Sequence, residues 1–222
     1  MNYLALCKRL RLEIGWPGTG PAAVTGQTGD SNKIVEWIAA AYNDVQVAHV
    51  TWRFLRESFS FETIATVPEY TPVAAGLDDL SSWVEESFQL YSAVTDEQDL
   101  WYEPWNTFRP VYLFGSNRTH SQRPTIVTIK PNNSLRFFAI PDDAYTCTGE
   151  YYTIPDVMAA NGDSPNFPDR FHMMCVWKGL MYYGAYAAAD EKYAHGQNEY
   201  RRLMIDLELD QLDKILYGEP LA

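Results

Sequence analysis

The sequence predicts an α+β fold, a helical bundle interrupted by an inserted antiparallel β domain. Three observations carry that expectation. Apolar residues recur at helical spacing near both ends of the chain, they alternate with polar ones through the middle, and most of the acidic charge sits in that middle. The 222 residues include 17 Lys+Arg against 29 Asp+Glu, a formal charge of −12. Cut at 56 and 165, the first part holds 6 basic and 4 acidic residues, the middle 5 and 16, and the last 6 and 9, for net charges of +2, −11 and −3. The expected domains are residues 1–56, the N-terminal helices of the bundle; residues 57–165, the inserted acidic β-rich domain; and residues 166–222, the C-terminal helices completing the bundle, with a tail.

The first helix follows from Tyr3, Leu6, Cys7, Leu10 and Ile14, at offsets 0, 3, 4, 7 and 11, with Lys8, Arg9 and Arg11 mostly off that face. Seven glycines and prolines between Gly15 and Gly29 then forbid a regular element, giving a long loop that ends at Asp30, a fitting N-cap. Ile34, Ile38, Ala41, Val45 and Ala48 restart the helical spacing, widened by Trp37 and Tyr42. A second helix of roughly twenty residues, about 30 Å long, is expected.

The period changes to two from Phe59 to Val67, a strand stopped by Pro68. Further strands are expected at 83–91, 125–130, 135–140 and 145–154, with a hairpin around residues 131–134 and a short helix between Pro104 and Phe114. Pro168 suits a first helical turn, followed by Phe171, Met174, Cys175, Trp177 and Met181. Gly184, Ala185, Ala187, Ala188 and Ala189 offer a smooth surface for close helix packing. A bend is expected near Gly196, and a last helix from Glu199 to Leu216, with Ile205, Leu209, Leu212 and Leu216 on one stripe.

Composition narrows the function. With 46% hydrophobic and 14% aromatic residues the chain is too apolar for a disordered tail. Its net negative charge opposes gripping nucleic acid through an overall positive field. No window reaches the ~18 apolar residues of a membrane span, and Lys8, Arg9 and Arg11 interrupt any signal-like apolar run, so neither export nor membrane insertion is expected. Three cysteines without CxxC spacing support no disulfide framework or zinc knuckle and fit a reducing compartment.

Catalytic and ligand motifs are wanting. The Gly-rich loop lacks GxxxxGK[ST], has no strand before it, and ends in Asp30, where a phosphate would meet a negative charge. Only His172 and Cys175 pair at i, i+3, half of a metal site at most. The adjacent carboxylates Asp78/Asp79, Glu85/Glu86, Asp96/Glu97 and Asp142/Asp143 read as solvated charges ahead of a glycosidase pair. The 96–99 run lacks calcium-loop spacing. No GxSxG or activated cysteine context occurs. The expectation is a protein that is not an enzyme and takes no cofactor or metal. Aromatics abound in the acidic segment, among them Trp83, Tyr91, Trp101, Tyr102, Trp105, Tyr151 and Tyr152. Core is their first reading, a protein interface the second, sugar stacking the third.

An ordered set of strings then matters: YLALCKRLR at 3–11, GTGP at 18–21, VTGQTG at 24–29, IVEWIAAAYNDVQ at 34–46, WRFLR at 52–56 running into FSF at 59–61, DEQDLWYEPWNTFR at 96–109 and RP at 123–124. Together they resemble the head-to-tail adaptor (connector) family of tailed bacteriophages, across essentially the whole chain. The resemblance implies a structural protein of the virion neck, made in the host cytoplasm and assembled as a dodecameric ring. That ring would dock under the portal protein and present a platform to a tail or nozzle protein. DNA would pass through it without specific binding, and no membrane would be involved. The family offers no catalytic residues to transfer.

Two expectations concern this chain's own residues. Leu209, Leu212, Leu216 and Tyr217 are expected to help hold the portal, because a terminal apolar stripe is followed by a short tail. Asp96, Glu97 and Asp99 are expected to face the channel, where repulsion of phosphate would let DNA slide. The alternative function is a carbohydrate-binding β module of a phage tail or cell-wall-associated protein, with a glycan-cleaving enzyme behind it.

Overall fold

The computed structural model describes residues 1–213, and the expectations for Leu216 and Tyr217 lie outside the described residues. The chain is α+β. In order it forms α1 (Tyr3–Ile14), α2 (Gly29–Val47), β1 (Arg56–Glu62), β2 (Glu69–Tyr70), β3 (Leu80–Trp83), β4 (Gln89–Tyr91), β5 (Gln98–Asp99), β6 (Trp101–Tyr102), α3 (Trp105–Tyr112), β7 (Ile126–Ile129), β8 (Leu135–Phe138), β9 (Thr146–Thr153), α4 (Met173–Ala187) and α5 (Asp190–Gln211). It divides into two compact units, one of residues 1–54 with 155–222, the other of residues 55–154.

The first unit is helical. Asn2 caps α1, its Oδ1 accepting the Ala5 N–H at 2.9 Å. The helix ends at Gly15, whose φ of 87° suits glycine and turns its N–H back onto the Arg11 and Leu12 carbonyls. Tyr3, Leu6, Cys7, Leu10 and Ile14 are all buried, as their spacing predicts. The Gly/Pro loop is held by its own chain: Arg11 donates to the Gly18 carbonyl, and the Asn161 side chain accepts the Val24 N–H at 2.7 Å. Its helix, α2, starts at Gly29 with Thr28 as N-cap. Asp30 lies inside the first turn, 3.1 Å from Lys33, and is not the cap that the sequence suggests.

The hub of this unit is α4, which packs on α1, α2 and α5. Glycines set the distances. A Cβ on Gly179 would lie 2.8 Å from Leu10, one on Gly184 2.7 Å from the Tyr193 backbone, and one on Gly196 2.7 Å from the Trp177 carbonyl. The expected bend at Gly196 is therefore absent: α5 runs unbroken through it, and the missing side chain serves the close approach of α4. The chain reverses instead at Ala188, which adopts φ 50° between α4 and α5. The last helix stops at Gln211, with Leu212 extended, short of the expected Leu216.

The second unit is a two-sheet β structure. One sheet has the order β1-β9-β4-β5, with β3 also on β9; the other has the order β2-β8-β7-β6. Every pair is antiparallel except β6 with β7, which runs parallel. Phe59, Trp83, Phe88, Leu90, Cys147 and Tyr151 from the first sheet's strands and turns meet Tyr70, Val127, Leu135 and Phe137 from the second in one apolar core. The buried Leu100 sits where the chain leaves β5 for β6 and so changes sheet. The predicted hairpin is β7–β8, its turn closed by the Lys130 N–H on the Ser134 carbonyl at 2.9 Å, with Asn133 at φ 61°.

Two strands are shorter than expected. The first stops at Glu62 because Thr63 turns to Tyr145, the Tyr70 hydroxyl takes the Ile64 N–H, and Thr66 adopts φ 70°. The run from Trp83 to Tyr91 is not one strand: β3 ends at Trp83 and β4 starts at Gln89, across a turn in which Ser87 bonds the Val84 carbonyl through both N–H and Oγ.

Candidate interaction surfaces

The three channel-expected carboxylates lie close in sequence but differ in what they can do. Asp96 ends a 3-10 turn, and its side chain accepts the Ser92 hydroxyl at 2.6 Å and the Ser92 and Ala93 N–H groups at 3.0 and 2.9 Å. Arg123 adds 2.9 Å to the same carboxylate, 2.6 Å to the Asp96 carbonyl and 2.8 Å to the Leu90 carbonyl. The Ser92 hydrogen bond, the backbone donors and Arg123 hold the Asp96 carboxyl below the usual range. This charge is a fastener for the 91–97 turn. Glu97 is exposed, and Asp99 is exposed at the sheet edge, 3.1 Å from its cross-strand partner Gln89.

That edge belongs to a trough of about 680 Å³ on the outer face of the first sheet, lined by Ser58, Ser60, Gln89, Asp99, Thr148 and Glu150 among others, none of them basic. Among the aromatics of this unit, Trp83, Tyr151 and Tyr152 are buried, and Tyr91, Tyr102 and Trp105 are half-buried. Trp101 alone of those seven is exposed, at 69%. Core is thus the main role of this aromatic set, and a row of exposed rings for sugar stacking is not among the described residues.

In the helical unit, α5 is the long element with the least cover. Of its 22 residues only Gly196 and Leu207 are buried, while Ile205 is 50% and Leu209 73% exposed. Leu212 is half-buried just past the helix end. Its last turns are tethered by His49 to Glu208 at 2.9 Å and by Arg170 to Asp210. Beside it runs a groove of about 330 Å³ lined by Met181, Tyr200, Met204 and Ile205, with Arg201 at its rim. Sequence periodicity found the stripe; it could not tell that the stripe stays open.

The i, i+3 pair His172 and Cys175 is buried. The His172 Nε2–H donates to the Phe167 carbonyl at 2.9 Å, and burial pushes its pKa down. Burial likewise pushes the Cys175 thiol up to about 12, which keeps it protonated. No group of three or more His, Cys, Asp or Glu side chains that could hold a metal ion occurs among the described residues. No helix there is long and apolar enough to cross a membrane.

The family model for the SU10 adaptor protein matches residues 1–220. The chain belongs to the SU10 adaptor family. This is a phage head-to-tail adaptor family, so the protein is a structural adaptor that works with other head and tail proteins of a phage. No curated protein matches the chain.

Proposed function

We propose that this adaptor is noncatalytic and assembles as a dodecameric ring in the virion neck, joining the portal to a tail or nozzle protein and surrounding the DNA exit channel. The observation that carries the reading is α5. This 22-residue helix packs one face closely on α4 but buries only two positions, so much of its remaining surface stays uncovered within its own unit, and helices of globular proteins owe most of their stability to packed faces. Ring closure supplies such a face, because each subunit in a head-to-tail ring presents two different surfaces to its neighbours.

Leu209 and Leu212, continued by Leu216 and Tyr217, hold the portal. Removing the residues after Asp210 should leave the helical circular dichroism in place and abolish co-sedimentation with the portal; unchanged portal binding would sink this assignment. In the channel, Glu97 and Asp99 supply repulsion, with Asp96 fixing the turn that carries them. Reversing Glu97 and Asp99 to lysine should slow DNA ejection from assembled virions, since two attractive contacts per subunit replace two repulsive ones. An ejection rate equal to wild type would remove these residues from the channel account.

A further inference from the structure

We propose that the free edge of β1 accepts an extended segment of another protein as an added antiparallel strand, and that this segment alternates apolar and basic side chains. The edge can be derived residue by residue. In an antiparallel pair each residue turns its N–H and C=O to the same side, and successive residues alternate sides. Glu150 of β9 turns toward β3: its N–H donates to the Ser87 hydroxyl at 2.8 Å and its carbonyl accepts the Val84 N–H at 3.0 Å. Ser58 stands opposite Glu150, so its own N–H and C=O point away from β9, as do those of Ser60 and Glu62 two and four residues on. The backbone groups of these three residues have no partner among the described residues.

Natural sheets blunt such edges with proline, lysine, a bulge or a very short strand. β1 has seven residues, an unbroken register with β9 and no proline, and its charges, Arg56, Glu57 and Glu62, flank an uncharged run from Ser58 to Phe61. A strand laid along it would form up to six main-chain hydrogen bonds with Ser58, Ser60 and Glu62, two for each residue.

Side chains then choose the occupant. On the core-facing side of β1 stand Phe59, buried, Phe61, partly buried against the core, and the exposed Glu57 at its start, with the 3-10 turn at 73–75 packed against the strand. On the outer side stand Arg56, ion-paired to Glu150, then Ser58, Ser60 and the exposed Glu62, with Glu86 and Asp99 lining the trough beyond. Alternate residues of the added strand therefore meet apolar surface, and the others meet hydroxyls and carboxylates. The unit itself holds 6 basic and 14 acidic residues, a net −8. A second copy pairing through its own β1 would bring a second −8 against the first, whereas a basic strand is drawn in.

The probe is a blocked seven-residue peptide alternating valine and lysine, titrated into the full chain while amide hydrogen exchange is followed. Slowed exchange at Ser58, Ser60 and Glu62, with the β9 amides unchanged, is the expected result. A valine and glutamate peptide of equal length should bind at least tenfold more weakly. Ser60→Pro removes an outward N–H without touching the β9 ladder, a place where an edge strand tolerates proline, and should weaken binding at least tenfold. If that variant misfolds, a peptide N-methylated at alternate residues serves in its place against the wild-type chain. Protection elsewhere than on β1, equal binding of the acidic peptide, or protection of these amides by self-association without any peptide would overturn the proposal.

Discussion

Replacing Gly196 by alanine sets two effects of known size against each other. Alanine favours a helix interior over glycine by about 0.8–1.0 kcal/mol, so on propensity alone Gly196→Ala should stabilise α5. The structure opposes this. The new methyl would sit 2.7 Å from the Trp177 carbonyl oxygen, with Met181 at 3.1 and 3.2 Å, where ordinary contact begins at 3.4 Å. The carbonyl belongs to α4 and cannot swing aside like a side chain, so the two helices must part by about 0.7 Å, the difference between 2.7 and 3.4 Å. Overpacking of this kind costs about 1–3 kcal/mol, and parting also loosens the Gly184–Tyr193 contact on the same interface. Set against the propensity gain, the net expectation is a loss of up to about 2 kcal/mol, a fall in Tm of up to roughly 4–8 °C for a chain of this size. Thermal unfolding followed by circular dichroism measures it, with the exposed α5 change Asn198→Ala as a control for propensity, expected neutral or slightly stabilising. Gly184→Ala should cost a similar amount, and the double variant less than the sum, because helices already parted for one methyl partly admit the other. A Tm for Gly196→Ala above wild type by the full propensity gain, about 1 kcal/mol, would refute the close helix contact.

Two further outcomes follow from buried polar groups. Burial lowers the folded pKa of His172 below its ordinary 6.5, so the unfolded chain takes up a proton the folded chain refuses; stability is full above that value and falls as pH drops through it. His172→Gln keeps a donor for the Phe167 carbonyl and should shrink the loss in Tm between pH 7 and pH 5; a profile parallel to wild type would exonerate His172. Arg123→Met removes the donors to the Leu90 and Asp96 carbonyls, worth about 2 kcal/mol, and should lower Tm by roughly 4–8 °C while leaving the helical unit's far-ultraviolet signal intact.

How much of this was legible in the sequence depends on whether a feature is local. The spacing of Tyr3, Leu6, Cys7, Leu10 and Ile14 is a property of one helix, and it marked the apolar buried face correctly, whereas Arg11, expected off that face, is buried too, on the Gly18 carbonyl of the loop that follows. The turn at 131–134 is local too, and β7–β8 forms around it. Distant partners decided the rest. Nothing near Trp83 in sequence says that Ser87 will fold onto Val84 and split the run in two, because the alternation of apolar residues resumes on the far side. The two-residue strands β5 and β6 are too short for any period. Gly196 carries a helix-breaking propensity, and its effect is reversed by Trp177, nineteen residues earlier on another helix. Among the candidate site residues, the acidity of Asp96 was visible, yet its capture by Ser92 and Arg123 was not, since Arg123 is far along the chain.

The central claim is assembly on the portal. Electron microscopy of the protein mixed with its own phage's portal tests it most directly. An added ring, coaxial with the portal and open along the DNA path, is expected, and it should be lost when the residues after Asp210 are removed. A portal that stays bare, or single copies bound off axis, would contradict it.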